Sequence, residues 1–394
     1  MSEDILDPTK KEKRRNGTGV SKGHHASQSP RLIDIAKKVG VSVQAVSLVL
    51  RGAEGVGPAM REKIQKEVQR IGYRRNRFAS KFFSKKTKTF GVVVPQLAES
   101  WIGLLAEELH HNAVTIGFDT EIFLTNHDPV QEEKVLDDLV GMRVDGIALV
   151  SRYWRMSDIP STHYIKVMKE EAQRVPIVTS SLILGSGVPA VSHDLYQGVR
   201  DAVIHLAGRG HKNFALLAMT NESVERVSSY RYRIGGFRRG LRDAGLPDAG
   251  QIISAQMPKV VMSAQVTKGN QTPLWTISRP NTDYYKTTIR ELVKRLFAAT
   301  PRPTAVICAN DIIAIHIIRA IEAEGLKVPD DFAVVGCDDT YLAEMAAVPL
   351  TTISLDLKSQ AQQMIAELLS FQHPDYRPPR ERRISPRLVV RESA

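Results

Sequence analysis

Apolar side chains recur at helical spacing in three stretches between residues 31 and 72. The first stretch ends at Gly-Val-Ser, residues 40–42, and the second follows it directly. Ser42 can cap the second helix, because a serine hydroxyl accepts a backbone N–H of the first turn. Pro58 and Gly72 are typical first-turn and stop residues of a third helix. The pattern predicts a helix-turn-helix and a supporting helix, with these residues facing inward: Leu32, Ile35, Ala36, Val39, Val46, Val49, Leu50, Met60, Ile64, Val68 and Ile71.

From residue 88 onward, short β-rich runs alternate with stretches of helical periodicity. The β-rich runs are 90–94, 119–124, 146–150, 176–179, 213–218, 305–309 and 332–336, and helical stretches include 104–116, 131–141 and 230–245. This alternation predicts an α/β fold of parallel sheets with helices on both faces. About 300 residues exceed one comfortable core, so we expect two lobes, with a ligand cleft at the carboxyl ends of the strands.

The positive charge of the chain is concentrated near its amino end. The formal net charge is +11, and residues 31–88 carry 15 Lys and Arg against four Asp and Glu. Residues 1–30 lack apolar periodicity, and we expect a disordered basic tail. A basic module attached to a near-neutral body predicts contact with a polyanion. The module lacks the large apolar face that membrane-surface binding requires, so we expect no membrane partner.

Composition and motifs narrow the functional classes further. Hydrophobic residues make up 42% of the chain and charged residues 25%, which is ordinary for a soluble globular protein. The amino end shows no apolar signal-peptide core, and the most apolar later stretch, 304–321, contains polar and charged residues, so we expect a cytoplasmic, nucleoid-associated protein. Cys308 and Cys337 lie in apolar runs and are expected to be core residues. Phosphate loops, dinucleotide fingerprints, zinc-protease and hydrolase motifs are all missing, so we expect no enzyme, no metal site and no cofactor.

The second helix is the predicted DNA-reading element, because its inward face leaves its start free to enter a major groove. Gln44 can make paired hydrogen bonds to adenine, and apolar neighbours can touch thymine methyl groups. The alternative is an ordinary helical hairpin with a solvated face. The predicted DNA-binding residues of this element are Ser42, Val43, Gln44, Ala45, Ser47, Leu48 and Arg51.

A basic and aromatic segment, residues 74–86, joins the two modules. Its cations can neutralise phosphates, and a phenylalanine can wedge into a minor-groove step. The alternative is a linker whose phenylalanines dock on the body. The hinge residues expected to contact DNA are Arg75, Asn76, Arg77, Ala79 and Phe82.

Several runs in fixed order resemble the LacI/GalR family of bacterial transcription regulators. They include LIDIAKKVGVSVQAVSLVLRG, FGVVVP, VDGIALV, GHKNFALLA, RIGGFRRGL, PTAVICANDIIAIHIIRAIEAEGLKVPDDFAVVGCDDT and PLTTI, and the resemblance covers residues 31–394. VSLVL with RNRxAS is similar to the maltose-regulon repressor type. The resemblance implies a homodimer on a palindromic double-stranded DNA operator, a hinge helix, and a core resembling periplasmic sugar-binding proteins.

The chain departs from the family pattern in places. Phe82 stands where a hinge leucine is usual, and Leu48 and Arg51 replace common base-reading residues, so the operator sequence cannot be transferred. Gly57 replaces a capping serine, and residues 248–283 match poorly. The chain ends without a leucine heptad, so we expect a dimer rather than a tetramer.

The resemblance also implies four effector-binding residues. Asp311 matches an aspartate that accepts hydrogen bonds from the effector, although an Asp after a strand is often a helix cap. Arg233 matches an effector-binding arginine, with a surface ion pair as the alternative. Asp194 matches a cleft aspartate at the lobe crossover. Trp101 matches a cleft aromatic that stacks on a sugar or base, with a core tryptophan as the alternative.

The expected domains are a tail (1–30), a helix-turn-helix domain (31–75), a hinge (76–88) and an effector and dimerisation core (89–394). Within the core we expect lobe 1 at 89–190 and 328–355, and lobe 2 at 191–327 and 356–394. The predicted function is a repressor whose operator affinity is controlled by a small effector, with a sugar or sugar derivative first and a purine second. The alternative is a sugar-binding protein or sugar-acting enzyme with an incidental basic amino end, which the missing motifs disfavour.

Overall fold

The computed structural model describes residues 30–50, 52–73, 87–151, 161–220, 228–256, 264–265, 274–275, 282–373 and 375–394. The chain divides into two compact units, residues 1–85 and 86–394. Within the described ranges, no helix is both long enough and apolar enough to span a lipid bilayer.

The first unit is a bundle of three helices, α1 (Leu32–Val39), α2 (Val43–Leu50) and α3 (Pro58–Arg70). Gly40 ends α1 in the left-handed conformation, at φ 77°. The Ser42 hydroxyl accepts the Ala45 backbone N–H at 3.1 Å, which confirms the predicted cap of α2. Every predicted inward-facing residue belongs to the apolar cluster of this unit, and Ile35, Val46 and Ile64 are fully buried at its centre.

The second unit contains fourteen described strands and nine described helices. The strands are β1 (Thr89–Val94), β2 (Asp119–Leu124), β3 (Gly146–Leu149), β4 (Ile177–Thr179), β5 (Ala190–His193), β6 (Phe214–Thr220), β7 (Gly250–Gln256), β8 (Ala264–Gln265), β9 (Leu274–Trp275), β10 (Ala305–Cys308), β11 (Ala333–Asp338), β12 (Thr351–Ser354), β13 (Glu381–Ile384) and β14 (Arg387–Val389). The helices are α4 (Ser100–Thr115), α5 (Pro129–Gly141), α6 (Thr162–Arg174), α7 (Leu195–Gly208), α8 (Ser228–Asp243), α9 (Thr282–Ala298), α10 (Asp311–Ala323), α11 (Tyr341–Met345) and α12 (Leu357–Ser370).

Two six-stranded sheets form the two lobes. The first sheet has the order β13-β5-β4-β3-β1-β2 and the second β14-β12-β11-β10-β6-β7. All pairs in both sheets are parallel except β12 with β14, which is antiparallel. Buried apolar clusters cover both faces of each sheet, as expected for parallel strands between helices. Cys308 and Cys337 are buried core residues, and burial raises the pKa of both thiols.

The predicted exchange of segments between the lobes is wrong. Residues 328–355 were expected in lobe 1, but β11 and β12 belong to the second sheet. Residues 356–394 were expected in lobe 2, but α12 packs on α4 and β13 joins the first sheet, so that only β14 returns. The reason is that β11 follows β10 through helix α10, and a strand-helix-strand unit keeps its two strands in one sheet. The chain crosses between lobes after β5, β12 and β13.

Candidate functional site

The start of helix α2 presents the side chains expected to read DNA. Val43 is 41% exposed and Gln44 is also exposed, whereas Ala45, Ser47 and Leu48 are half-buried. Arg51 lies outside the described residues. So do the predicted hinge residues Arg75, Asn76, Arg77, Ala79 and Phe82. The described part of the surface therefore combines one amide with small and apolar side chains on a capped helix end.

Asp311 begins helix α10 at the carboxyl end of β10, but its carboxylate is already in use. Its Oδ2 accepts the Thr340 backbone N–H at 2.8 Å and the Thr340 hydroxyl at 3.1 Å, and its Oδ1 accepts the Thr352 hydroxyl at 2.5 Å. The side chain is 1% exposed, and the helix is capped by Asn310, whose Oδ1 accepts the Ile313 N–H. Asp311 therefore holds the loop after β11 in place. The alternative role predicted for it, that of a helix cap, is filled by Asn310.

Asp338, which the sequence did not single out, is the buried carboxyl group at the carboxyl end of β11. It ends β11 with φ 113°, a left-handed conformation that side chains rarely adopt. Burial, together with the charges of Asp311 and Glu99, raises the pKa of Asp338 well above its usual range. Glu99 comes from the first lobe and Asp338 from the second, so their interaction spans the two lobes. The signal was available, because an acidic pair directly follows an apolar run at residues 332–337.

Arg233 on helix α8 lies beside these carboxylates and is 7% exposed, which rules out a surface ion pair. Its Nη1 donates to the Ser229 carbonyl at 3.2 Å, and its Nη2 donates to the Ala309 carbonyl at 3.1 Å and contacts the Cys337 sulfur at 3.8 Å. The guanidinium Nε has no hydrogen-bond partner among the described residues. Arg233 therefore presents one unused donor at the strand ends of the second lobe.

Asp194 and Trp101 occupy different positions around the cleft. Asp194 lies at the first crossing between the lobes, where its Oδ1 caps α7 by accepting the Gln197 N–H at 3.0 Å. Trp101 lies in the first turn of α4, where it is half-buried and packs against the apolar core of the first lobe. Its side chain therefore contacts the core and is also partly exposed to solvent.

The first lobe contributes two polar groups that sequence reasoning missed. The Glu99 carboxylate accepts the Gln96 amide N–H at 2.8 Å and lies 4.0 Å from the His127 Nε2. In addition, the buried Glu132 carboxylate accepts the hydroxyls of Ser151, at 3.0 Å, and Tyr164. Across the ranges that the structure describes, no group of three His, Cys, Asp or Glu side chains is arranged to hold a metal ion.

Family comparisons cover both units. A model of the bacterial regulatory proteins of the lacI family matches residues 31–76. A model of periplasmic binding proteins and the sugar binding domain of the LacI family matches residues 87–264, and a periplasmic binding protein-like domain matches residues 203–394.

Individual relatives agree with these matches. The chain is 28% identical to catabolite control protein A of Priestia megaterium over 350 residues, covering 87% of this chain and 94% of the relative. It is 28% identical to the transcriptional regulator CelR of Thermobifida fusca over 375 residues, covering 92% and 98%. The lac repressor dimer bound to operator and an anti-inducer shares the fold, with a TM-score of 0.73 and 23% identity over 93% of this chain and 99% of that one. The chain belongs to the LacI family of bacterial transcriptional regulators.

Proposed function

We propose that the chain is a repressor that binds a palindromic operator as a homodimer and acts on the chromosome in the cytoplasm. A small polyhydroxylated effector in the cleft between the lobes controls its affinity for DNA. The exposed, capped start of α2 carries this proposal, because it is a helix end whose side chains are not needed for the bundle core. Relatives that are repressors or catabolite regulators support the same reading.

An exposed apolar surface on the second lobe supports the homodimer. Tyr341 and Met345 on the short helix α11 are 63% and 77% exposed, which is unusual for such large apolar side chains. Beside them, Ile315 and Ile318 of α10 and Val348 line a shallow groove. A two-fold interface uses the same surface of both subunits, and an exposed apolar surface is suited to that.

The cleft supports effector control. Polar groups from both lobes meet at the strand ends, where parallel α/β folds bind their ligands. Among similar structures, a CelR protein holds cellobiose and a LacI family regulator from Enterococcus faecium holds ribose. A ligand that contacts both lobes shifts the population of lobe arrangements, and through it the presentation of the segment that leads to the DNA-binding unit.

The test of DNA binding is fluorescence anisotropy with a labelled duplex from the protein's own promoter region and a scrambled duplex of equal composition. We expect preference for the promoter duplex at moderate salt. Gln44→Ala should weaken promoter binding about 5- to 150-fold if the amide reads an adenine, since one bidentate contact contributes about 1–3 kcal/mol. Gln69→Ala, an exposed glutamine near the end of α3, is the matched control and should bind as the unmodified protein does.

Equal affinity of the unmodified protein for the promoter and scrambled duplexes would contradict the proposed function. Equal loss in both glutamine variants would instead assign the contact to the bundle as a whole and remove Gln44 from base reading.

A further inference from the structure

A cavity opens on the outer edge of the second lobe, away from the cleft. It has a volume of about 410 Å³ and lies between helix α8 and the start of strand β7. Cavities of this size are typical of sites that bind small molecules. Gly250, the first residue of β7, lines the cavity, so it lies at the amino ends of the parallel strands, whereas the cleft lies at their carboxyl ends. We call this cavity the outer pocket.

Two arginines of α8 line the outer pocket. Arg238 and Arg242 are exposed and lie one helical turn apart, about 6 Å along the helix axis. Arg242 makes no hydrogen bond or ion pair with another described residue. Like charges one turn apart on a helix disfavour each other, and an anion bound between them removes that cost. The described lining contains neither Asp nor Glu, so the outer pocket presents positive charge without a carboxylate of its own.

The carboxylate at the end of α8 is used outside the outer pocket. The Asp243 side chain accepts hydrogen bonds from the Arg200 Nε at 2.6 Å and from the Arg239 Nε at 2.7 Å. Arg200 belongs to α7, so these contacts lie where α8 packs on that helix. Asp248, in the loop that follows α8, is not part of the lining either. The acidic residues nearest in sequence therefore leave the charge of the outer pocket in place.

Strand β7 adds backbone donors to the same cavity. It is the outermost described strand of its sheet, and its first residue, Gly250, pairs with Phe214 of β6. The Phe214 N–H donates to the Ala249 carbonyl at 2.8 Å, so the residues on either side of Gly250 bond to β6. The N–H groups of Gly250 and Ile252 therefore point to the open edge, and both residues line the outer pocket. Backbone N–H groups of this kind are suitable partners for an anion.

Apolar side chains form the floor of the outer pocket. Phe237 and Leu241 line it and are only 1% and 2% exposed. An added Cβ at Gly250 would overlap both side chains, so the backbone of β7 lies directly on this floor and glycine is required at that position. A floor of this kind beside two guanidinium groups suits a ligand that combines a carbon skeleton with a strongly negative group.

We infer that the outer pocket binds a small organic phosphate. Its phosphoryl group contacts Arg238, Arg242 and the N–H groups at the edge of β7, and its carbon skeleton contacts the apolar lining. A guanidinium group suits a phosphate because its planar fork makes two parallel charge-assisted hydrogen bonds to phosphate oxygens. Two guanidinium groups also match the charge of a phosphate monoester, which is near −2 at neutral pH. The outer pocket is separate from the cleft, so the inference does not depend on the effector that the cleft binds.

The test is calorimetric titration of the full-length protein with phenyl phosphate, inorganic phosphate and benzyl alcohol at constant ionic strength. We expect phenyl phosphate to bind more tightly than the other two compounds. Inorganic phosphate lacks the carbon skeleton that contacts the apolar lining, and benzyl alcohol lacks the charge that the arginines attract.

Three single variants locate the site. Arg238→Gln and Arg242→Gln should each weaken the binding of phenyl phosphate about tenfold, which corresponds to the loss of one charge-assisted hydrogen bond. Arg209→Gln is the matched control, because it removes an exposed arginine at the end of α7 that does not line the outer pocket. This variant should bind phenyl phosphate as the unmodified protein does.

Three outcomes would overturn the inference. The first is that phenyl phosphate does not bind. The second is that its binding survives in the double variant of Arg238→Gln and Arg242→Gln, or weakens equally in Arg209→Gln, because the anion would then bind elsewhere or respond only to overall charge. The third is that inorganic phosphate binds as tightly as phenyl phosphate, because the carbon skeleton would then make no contact. The preference for promoter DNA is measured separately and does not affect this result.

Discussion

Replacing Asp311 by alanine tests the role that the structure gives this residue. The carboxylate is 1% exposed and accepts three hydrogen bonds from Thr340 and Thr352. Alanine leaves the Thr340 backbone N–H buried without a partner, which costs about 1–3 kcal/mol, while the two hydroxyls can rotate toward other acceptors. We therefore expect Asp311→Ala to lower the free energy of unfolding of the second unit.

The pKa of Asp311 determines whether this loss of unfolding free energy is larger at low or at high pH. Burial is the largest cause and raises the pKa of Asp311 from 3.8 to about 6. The hydrogen bonds from Thr352 and Thr340 act in the opposite direction and lower it. The folded state therefore holds the proton more tightly than the unfolded state, and the stability contributed by the group falls as pH rises from about 4 to 6. Between pH 7 and pH 5 the unmodified protein gains about 1.4 kcal/mol from this proton, so Asp311→Ala should be more damaging at pH 5 by roughly that amount.

The assay is urea unfolding at pH 5 and pH 7, followed by tryptophan fluorescence. Trp101, Trp154 and Trp275 all belong to the second unit, so the signal does not include the helix-turn-helix unit. Asp330→Ala removes an exposed carboxylate of the same lobe, and it should change the free energy of unfolding by the same amount at pH 5 and at pH 7. The reasoning would be refuted if the loss of unfolding free energy in Asp311→Ala were independent of pH, or larger at pH 7.

Two packing predictions address the two units separately. Ile64 is fully buried at the centre of the helical bundle, and Ile64→Ala should cost about 2–5 kcal/mol and abolish promoter binding while the tryptophan transition stays unchanged. Retained promoter binding would argue against the bundle as the DNA-binding unit, and Lys63→Ala is the exposed control. At Gly236 an added Cβ would overlap the Tyr196 carbonyl oxygen where α8 packs on α7, so Gly236→Ala should cost about 1–3 kcal/mol, seen as a lower Tm. Gly141 lies in helix α5 with open space around it, so Gly141→Ala should not lower Tm.

The helix-turn-helix could be predicted from the sequence because several local signals agree there. Apolar spacing, a glycine in the left-handed conformation and a serine cap are all local, and Ser42 caps α2 as its position suggested. A three-helix bundle of this size has one apolar cluster, so the inward-facing set also identifies the core.

Which strand joins which sheet could not be predicted in the same way. The strands of the carboxyl-terminal part, β12, β13 and β14, have only three or four residues, and β13 has a mostly exposed, charged pattern. Local patterns therefore give no signal for the crossings after β12 and β13, which depend on where α12 packs. Sheet membership therefore depends on long-range packing, which the local sequence pattern does not encode.

The same limit applies to the cleft. Asp311 and Asp338 both follow apolar strands, and the sequence marks both as strand-end carboxylates. It does not show that the oxygens of Asp311 are used by Thr340 and Thr352, which lie 29 and 41 residues away along the chain. Nor does it bring Glu99, from the other lobe, close to Asp338.

The distribution of charge distinguishes the operator and the cleft effector that we propose as ligands of this protein. Residues 31–88 carry an excess of Lys and Arg, whereas the described strand ends of the second unit combine carboxylates with Arg233. Neutralising phosphates releases counterions, so binding to DNA weakens steeply as salt rises. Binding of an uncharged ligand by hydrogen bonds involves no such release and changes little with salt, because screening acts between charges. Operator binding should therefore weaken steeply as salt rises while the binding of an uncharged sugar changes little, and equal salt dependence of the two would contradict this division of charge.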